Sequence, residues 1–140
     1  MGAFPAPMKK IILIVDDDHS IVEFLTDCLQ SEGYEVSSAF DGKRGCDEAR
    51  RIKPDLIILD LLMPDMHGFE VCRTLRQDQA LQAVKIMISS GKSYAADKKA
   101  ALGLGADSYL VKPYSASQLI DSVRSLIGEA KNGSPEAPSA

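Results

Sequence analysis

Tryptophan is missing from the chain, histidine occurs twice and aromatic residues make up only 6% of it. Nowhere in the 140 residues does an apolar stretch approach the ~20 positions needed to cross a bilayer. The opening MGAFPAPMKK carries no apolar core of the kind a secretory leader has, so the expectation is a cytoplasmic protein with no membrane association. Cysteine is scarce and odd in number. Cys28, Cys46 and Cys72 form no C-x-x-C pair and no ligand cluster with His19 and His67, which excludes a disulfide scaffold and a Cys/His zinc site and leaves three reduced thiols. Cys28 and Cys72 are read as small apolar residues on the buried sides of helices. An excess of positive charge is also lacking: 16 Lys and Arg stand against 20 Asp and Glu, net −4, and no basic run makes a local field for phosphate backbones. Direct nucleic-acid binding is disfavoured. What remains, 45% apolar and 26% charged residues, is the balance of one globular domain that buries a core without covalent staples.

The ends differ from the middle. Residues 1–8 hold two prolines and no periodicity, and residues 129–140 are rich in Gly, Ser, Pro and Ala; both are expected to be flexible extensions of a domain spanning 9–128. Within it, short apolar runs at 11–15, 56–59 and 86–88 read as buried parallel strands, with weaker strands at 34–39 and 108–111. Helical patterns fill the gaps at 20–32, 42–51, 69–77, 93–102 and 115–127. Ser20 with Glu23 and Ser115 with Gln118 have capping-box spacing, and Gly33 stands where a left-handed helix stop is wanted. Strand and helix alternate five times. That order specifies an α/β domain, a (βα)5 doubly wound parallel sheet with helices on both faces, and directs attention to the carboxyl ends of the strands.

Polar residues gather at those ends: Asp16, Asp17 and Asp18 after the first strand, Asp60 at the third, Ser89 and Ser90 at the fourth, Lys112 and Pro113 at the fifth. Acids after a strand are commonly turn formers or helix caps, and Asp16 and Asp17 alone would carry little weight. Asp60 adds a third carboxylate to the same edge. Close carboxylates repel unless a cation compensates them, and an all-oxygen set with few protein ligands suits Mg²⁺, which keeps several waters, better than Ca²⁺.

The segments ILIVDDD, PDLIILDLLMPDMHG, MISSG and GADSYLVKPY together resemble the receiver domains of response regulators in two-component systems, over about residues 10–127. The resemblance implies a flavodoxin-like, five-stranded sheet of order 2-1-3-4-5. It implies that Asp60 is the phosphoacceptor, that Asp17 binds the metal directly and Asp16 mainly through a metal-bound water, and that the Leu62 backbone carbonyl completes the protein ligands of Mg²⁺. Ser90 matches the hydroxyl that bonds a phosphoryl oxygen, with Ser89 as the alternative register. Lys112 matches the lysine that pairs with the phosphoryl group, followed by a cis bond to Pro113. Tyr109 matches the aromatic that turns inward with the hydroxyl residue. Met63-Pro64 and Gly68 match the loop after the acceptor, where glycine allows a turn that other residues resist. Residues two beyond the acceptor and two beyond the hydroxyl, Leu62 and Lys92, flank the path of the hydrolytic water. By the same resemblance the partner is a sensor histidine kinase or phosphotransfer protein that supplies phosphohistidine, and the downstream effector is unknown. The domain is a monomer or weak dimer and no enzyme beyond its own phosphorylation and dephosphorylation. His67 and His19 are read as solvated loop and helix-start residues, not relay histidines.

Two rivals remain. A haloacid-dehalogenase-type phosphatase also uses a strand-end Asp, Mg²⁺, a hydroxyl and a Lys, but needs a second acid two residues on, where this chain has Leu62. A binding-only pseudo-receiver is opposed by the intact set Asp16, Asp17, Asp60, Ser90 and Lys112. The residues outside the receiver are too few for a DNA-binding or catalytic domain, which leaves a stand-alone regulator or a receiver cut from a longer chain.

Overall fold

Runs of three to five apolar residues are too short to bury themselves as helices, and in the computed structural model they pair instead. It describes residues 9–91 and 95–130. The strands are β1 (Ile11–Val15), β2 (Glu35–Ala39), β3 (Leu56–Asp60), β4 (Lys85–Ser90) and β5 (Ser108–Val111). The helices are α1 (His19–Ser31), α2 (Gly42–Ile52), α3 (Gly68–Arg76), α4 (Ala95–Gly103) and α5 (Ala116–Ile127), with a 3-10 turn, Gln79–Leu81, before β4. All pairings are parallel and the order is β2-β1-β3-β4-β5. The predicted topology holds.

Side chains alternate across a strand, so each central strand feeds two cores. Leu13, Val15, Ile57, Leu59, Ile86 and Ile88 pack with Cys46, Ala49, Val71, Cys72 and Leu75 of α2 and α3. Ile12, Ile14, Leu56, Ile58 and Met87 pack with Val22, Leu25 and Leu29 of α1 and with Leu119, Val123 and Ile127 of α5. β3 is buried along its whole length, Asp60 included. Among the described residues no helix is long and apolar enough to cross a membrane.

Several boundaries differ from the sequence reading. The cap of α1 is Asp18, not Ser20. Its carboxylate accepts from the N–H groups of Ser20 (3.0 Å) and Ile21 (3.3 Å), which puts Ser20 inside the first turn and removes the Ser20–Glu23 capping box. Helix α3 starts at Gly68 because His67 Nδ1 accepts from the Phe69 N–H at 3.0 Å; the exposed imidazole caps a helix. The reciprocal bonds between Ser115 and Gln118 are both present at α5. Gly33 has φ +97°, as a left-handed stop requires. Residues 93–94 of the expected fourth helix lie outside the described residues. So do 1–8 and 131–140 of the expected extensions. Two residues past the boundary drawn at 128, Ala130 is buried and its carbonyl accepts from the Lys10 N–H. Cys72 is buried, whereas Cys28 is only half-buried at the rim of the α1/α5 core.

Candidate functional site

Strands β1 and β3 are register neighbours, so their carboxyl ends deliver Asp16 and Asp60 to one spot. Asp16 is 2% exposed and Asp60 9%, while Asp17 is exposed. One carboxylate oxygen of each lies within 4.8 Å of the others. Lys112 enters from β5. Its N–H donates to the Ser90 carbonyl (2.7 Å), the bond to Pro113 is cis, and its ammonium donates to Asp16 Oδ2 and Asp60 Oδ1, both at 3.1 Å. Asp16 Oδ1 meanwhile accepts from the Asp18 N–H at 2.9 Å, which orients the carboxylate and turns the chain into α1.

Gly68 is required here for a reason other than the expected one. Its backbone is not left-handed; rather, a Cβ at this position would stand 2.6 Å from the Asp60 carbonyl oxygen and 2.8 Å from Leu61 Cα. The first turn of α3 therefore lies directly on the end of β3, fastened by the Gly68 N–H to the Leu61 carbonyl (2.8 Å).

The electrostatics follow from this crowding. Burial, and next the Asp16 charge, push the Asp60 carboxyl above its ordinary value, with a smaller push from Asp17, against the pull of Lys112. Burial works to lower the Lys112 ammonium, but Asp16 and Asp60 together outweigh it and hold it raised. Among the described residues, these three carboxylates share one ammonium. The set lacks positive charge, its donors are hard oxygens, and Asp17 opens one side to water; these features fit a small, strongly hydrated divalent cation such as Mg²⁺.

The serines divide between the two faces. Ser89 is the register partner of Asp60, is fully buried, and its hydroxyl bonds the Tyr114 hydroxyl at 2.9 Å. Alternation puts Ser90, 1% exposed, on the opposite face with Tyr109, which pairs with Ile88 and packs against the α2/α3 core. The Leu62 side chain is 55% exposed in the loop after β3. Lys92 lies outside the described residues. Two contributors escaped the sequence reading. Asp65 accepts from the N–H groups of Gly42 (2.9 Å) and Lys43 (3.0 Å), tying the loop after Asp60 to the start of α2; these bonds hold its carboxyl below the ordinary value. The Ser89–Tyr114 bond is the other, and no local spacing announces either.

A doubly wound sheet of this order, with an acid cluster and a lysine at its carboxyl edge, defines a flavodoxin-like α/β protein whose ligand site lies where the strand order reverses. Residues 12–124 match the response regulator receiver domain model, and the chain belongs to that family of two-component signalling domains. By sequence it is 38% identical to the alkaline phosphatase synthesis transcriptional regulatory protein PhoP of Bacillus subtilis, over 93% of this chain and 53% of that protein. It is 39% identical to the DNA-binding response regulator MtrA of Mycobacterium tuberculosis, over 84% of this chain and 50% of that one. The chain thus spans about half the length of these relatives. Among solved structures it matches the chemotaxis protein CheY4 of Vibrio cholerae with TM-score 0.82 and 30% identity, covering 85% of this chain and 99% of that chain. A response regulator from Chloroflexus aurantiacus matches equally, covering 87% and 100%. The family is one of signalling domains rather than conventional enzymes, it implies a histidine kinase as partner, and its members bind Mg²⁺ at an acidic pocket of the kind seen here.

Proposed function

We propose that the domain accepts a phosphoryl group on Asp60 from the phosphohistidine of a sensor kinase or phosphotransfer protein. The observation that carries this reading is the Asp60 carboxylate, at the end of β3, held 3.1 Å from the Lys112 ammonium and within 4.8 Å of Asp16 and Asp17. An Asp60 oxygen attacks phosphorus, the phosphorus–nitrogen bond breaks, and the electron pair leaves on the imidazole. Asp16, Asp17, Asp60 and the Leu62 carbonyl would hold Mg²⁺, which when bound neutralises charge on the phosphoryl oxygens. Lys112 pairs with one phosphoryl oxygen, and Ser90 donates its hydroxyl to another. Drawing Ser90 toward the acceptor vacates space on the α2/α3 face, into which Tyr109 turns, so that the surface around α4 and β5 reports the charge state of Asp60. The domain catalyses its own phosphorylation and dephosphorylation.

The name of the M. tuberculosis relative includes DNA binding, which stands against the sequence expectation of no nucleic-acid contact. We assign such contact, where it occurs, to parts of a full regulator outside this receiver, since the net charge of −4 gives the domain no attraction for phosphate backbones. We read the protein as cytoplasmic.

Acetyl phosphate with Mg²⁺ is expected to add one phosphoryl group to the wild-type chain, and Asp60→Asn to take none while keeping its circular dichroism. Intact-mass spectrometry decides it. Labelling that persists in Asp60→Asn, or that proceeds in EDTA, contradicts the assignment.

A further inference from the structure

Strand β4 ends in two adjacent serines, and each ties down a different end of the segment that presents Lys112. The Ser90 carbonyl accepts from the Lys112 N–H at 2.7 Å. The Ser89 hydroxyl meets the Tyr114 hydroxyl at 2.9 Å. The ammonium between Asp16 and Asp60 therefore rises from a three-residue stretch, Lys112-Pro113-Tyr114, anchored before and after by the strand that neighbours the acceptor. Ser89 stands level with Asp60 and is fully buried, so a hydroxyl there needs a partner, and Tyr114 is the one it has. The Tyr114 ring has separate work. It walls, with Ile21, Phe24 and Pro113, an open groove of about 200 Å³ beside α1.

We propose that Ser89 and Tyr114 are positioning residues for phosphoryl transfer: their hydrogen bond sets the β5–α5 connection so that the Lys112 ammonium reaches the group on Asp60. The proposal rests on the phosphoacceptor reading above and deepens it. Lys112 has a long, flexible stem; in the resting state two of its three N–H donors are held by Asp16 and Asp60, and it must be re-aimed to pair with an incoming phosphoryl oxygen. The carboxylates that hold it in the resting state cannot also aim it. Aim has to come from the backbone, and misplacement by about 1 Å is enough to slow a transfer that depends on electrostatic alignment. Neither hydroxyl touches the reacting atoms; both act through Lys112.

Tyr114→Phe keeps the ring that lines the groove and removes only the hydroxyl. Ser89→Ala removes its partner with little change of volume. Acetyl phosphate labelling at saturating Mg²⁺ is followed by intact mass, and Mg²⁺ affinity is measured by calorimetry on the same proteins. Each single variant is expected to be phosphorylated about five-fold more slowly, the double variant no more slowly than either single, because one hydrogen bond is lost in all three. Mg²⁺ affinity should stay the same or tighten, since a Lys112 less firmly placed competes less for the acids. In a Lys112→Ala background the two substitutions should add nothing. Wild-type rates in both single variants overturn the proposal. So does slowing matched by weaker Mg²⁺ binding, which indicates damage to the acid cluster, or slowing that persists in full without Lys112. If Ser89→Ala fails to fold, Tyr114→Phe alone decides. A wild-type chain that takes no label at all sinks the phosphoacceptor reading, and the positioning role with it.

Discussion

Asp60 stands in a site that resists its charge, and that resistance is measurable as stability. Because its folded-state pKa is raised, the native chain keeps the Asp60 proton to higher pH than the unfolded chain does. Its contribution to stability therefore falls as pH rises from the ordinary value of 3.8 through the raised one, and at neutral pH its charge is a net cost. Lys112 runs the other way: with its pKa raised above 10.5, its contribution is fully present at neutral pH and is lost only as pH rises past that value. Asp60→Asn is thus expected to raise the thermal midpoint in EDTA at pH 7 by about 3 °C, roughly 1 kcal/mol, with the gain disappearing at pH 3. Melting curves followed by circular dichroism test it; a lower midpoint at pH 7 contradicts the repulsion argument. Leu62 bears on a different property. Its side chain neither donates nor accepts a hydrogen bond, so it cannot orient a water for hydrolysis of the proposed acyl phosphate, and its bulk stands two residues beyond Asp60. Leu62→Asn should shorten the phosphorylated lifetime several-fold. Decay after removal of the donor at fixed Mg²⁺ and pH is the measurement, and an unchanged or longer lifetime rules out access past Leu62 as the limit.

Helix starts separate what the sequence displays from what it hides. The cap of α5 was legible because Ser115 and Gln118 bond within one turn, and such local chemistry leaves a fixed spacing. The start of α1 was misread because three consecutive acids precede it, and spacing alone favoured Ser20. Only the extended backbone at Asp18 shows which carboxylate faces the free N–H groups. Asp65 was invisible, since the helix it binds begins more than twenty positions earlier in the chain. Gly68 was picked out for the wrong cause. The turn chemistry suggested by the loop is absent, and what excludes a side chain is the Asp60 carbonyl of the strand beneath. Since both close atoms are backbone, Gly68→Ala cannot be relieved by a rotamer change. It is expected to cost about 1–3 kcal/mol, a drop of several degrees in the thermal midpoint. Urea unfolding of the variant checks this; a cost below the experimental error would mean that α3 is free to move off the strand.

At the scale of the whole molecule, the sheet divides the site's residues into two rows. Asp16, Asp60, Ser89 and the Tyr114 ring belong with α1 and α5, while Ser90 and Tyr109 lie toward α2 and α3. The βα alternation and the edge that carries the site were readable beforehand from the continuous apolar runs, and the order of the strands from the resemblance to receiver domains. The division between Ser89 and Ser90 was not. It depends on register, and a slip of one residue exchanges the faces. In the proposed function this division lets one face hold Asp60 and Lys112 while the other carries the conformational response. All of it depends on Asp60 being the residue that takes the phosphoryl group. Borohydride reduces an acyl phosphate on aspartate to homoserine, so treating the acetyl phosphate-labelled chain with borohydride and sequencing its peptides by mass spectrometry identifies the acceptor directly. The account predicts homoserine at position 60 and at no other acid; homoserine at Asp16 or Asp17, or a borohydride-resistant label on His67, would contradict it.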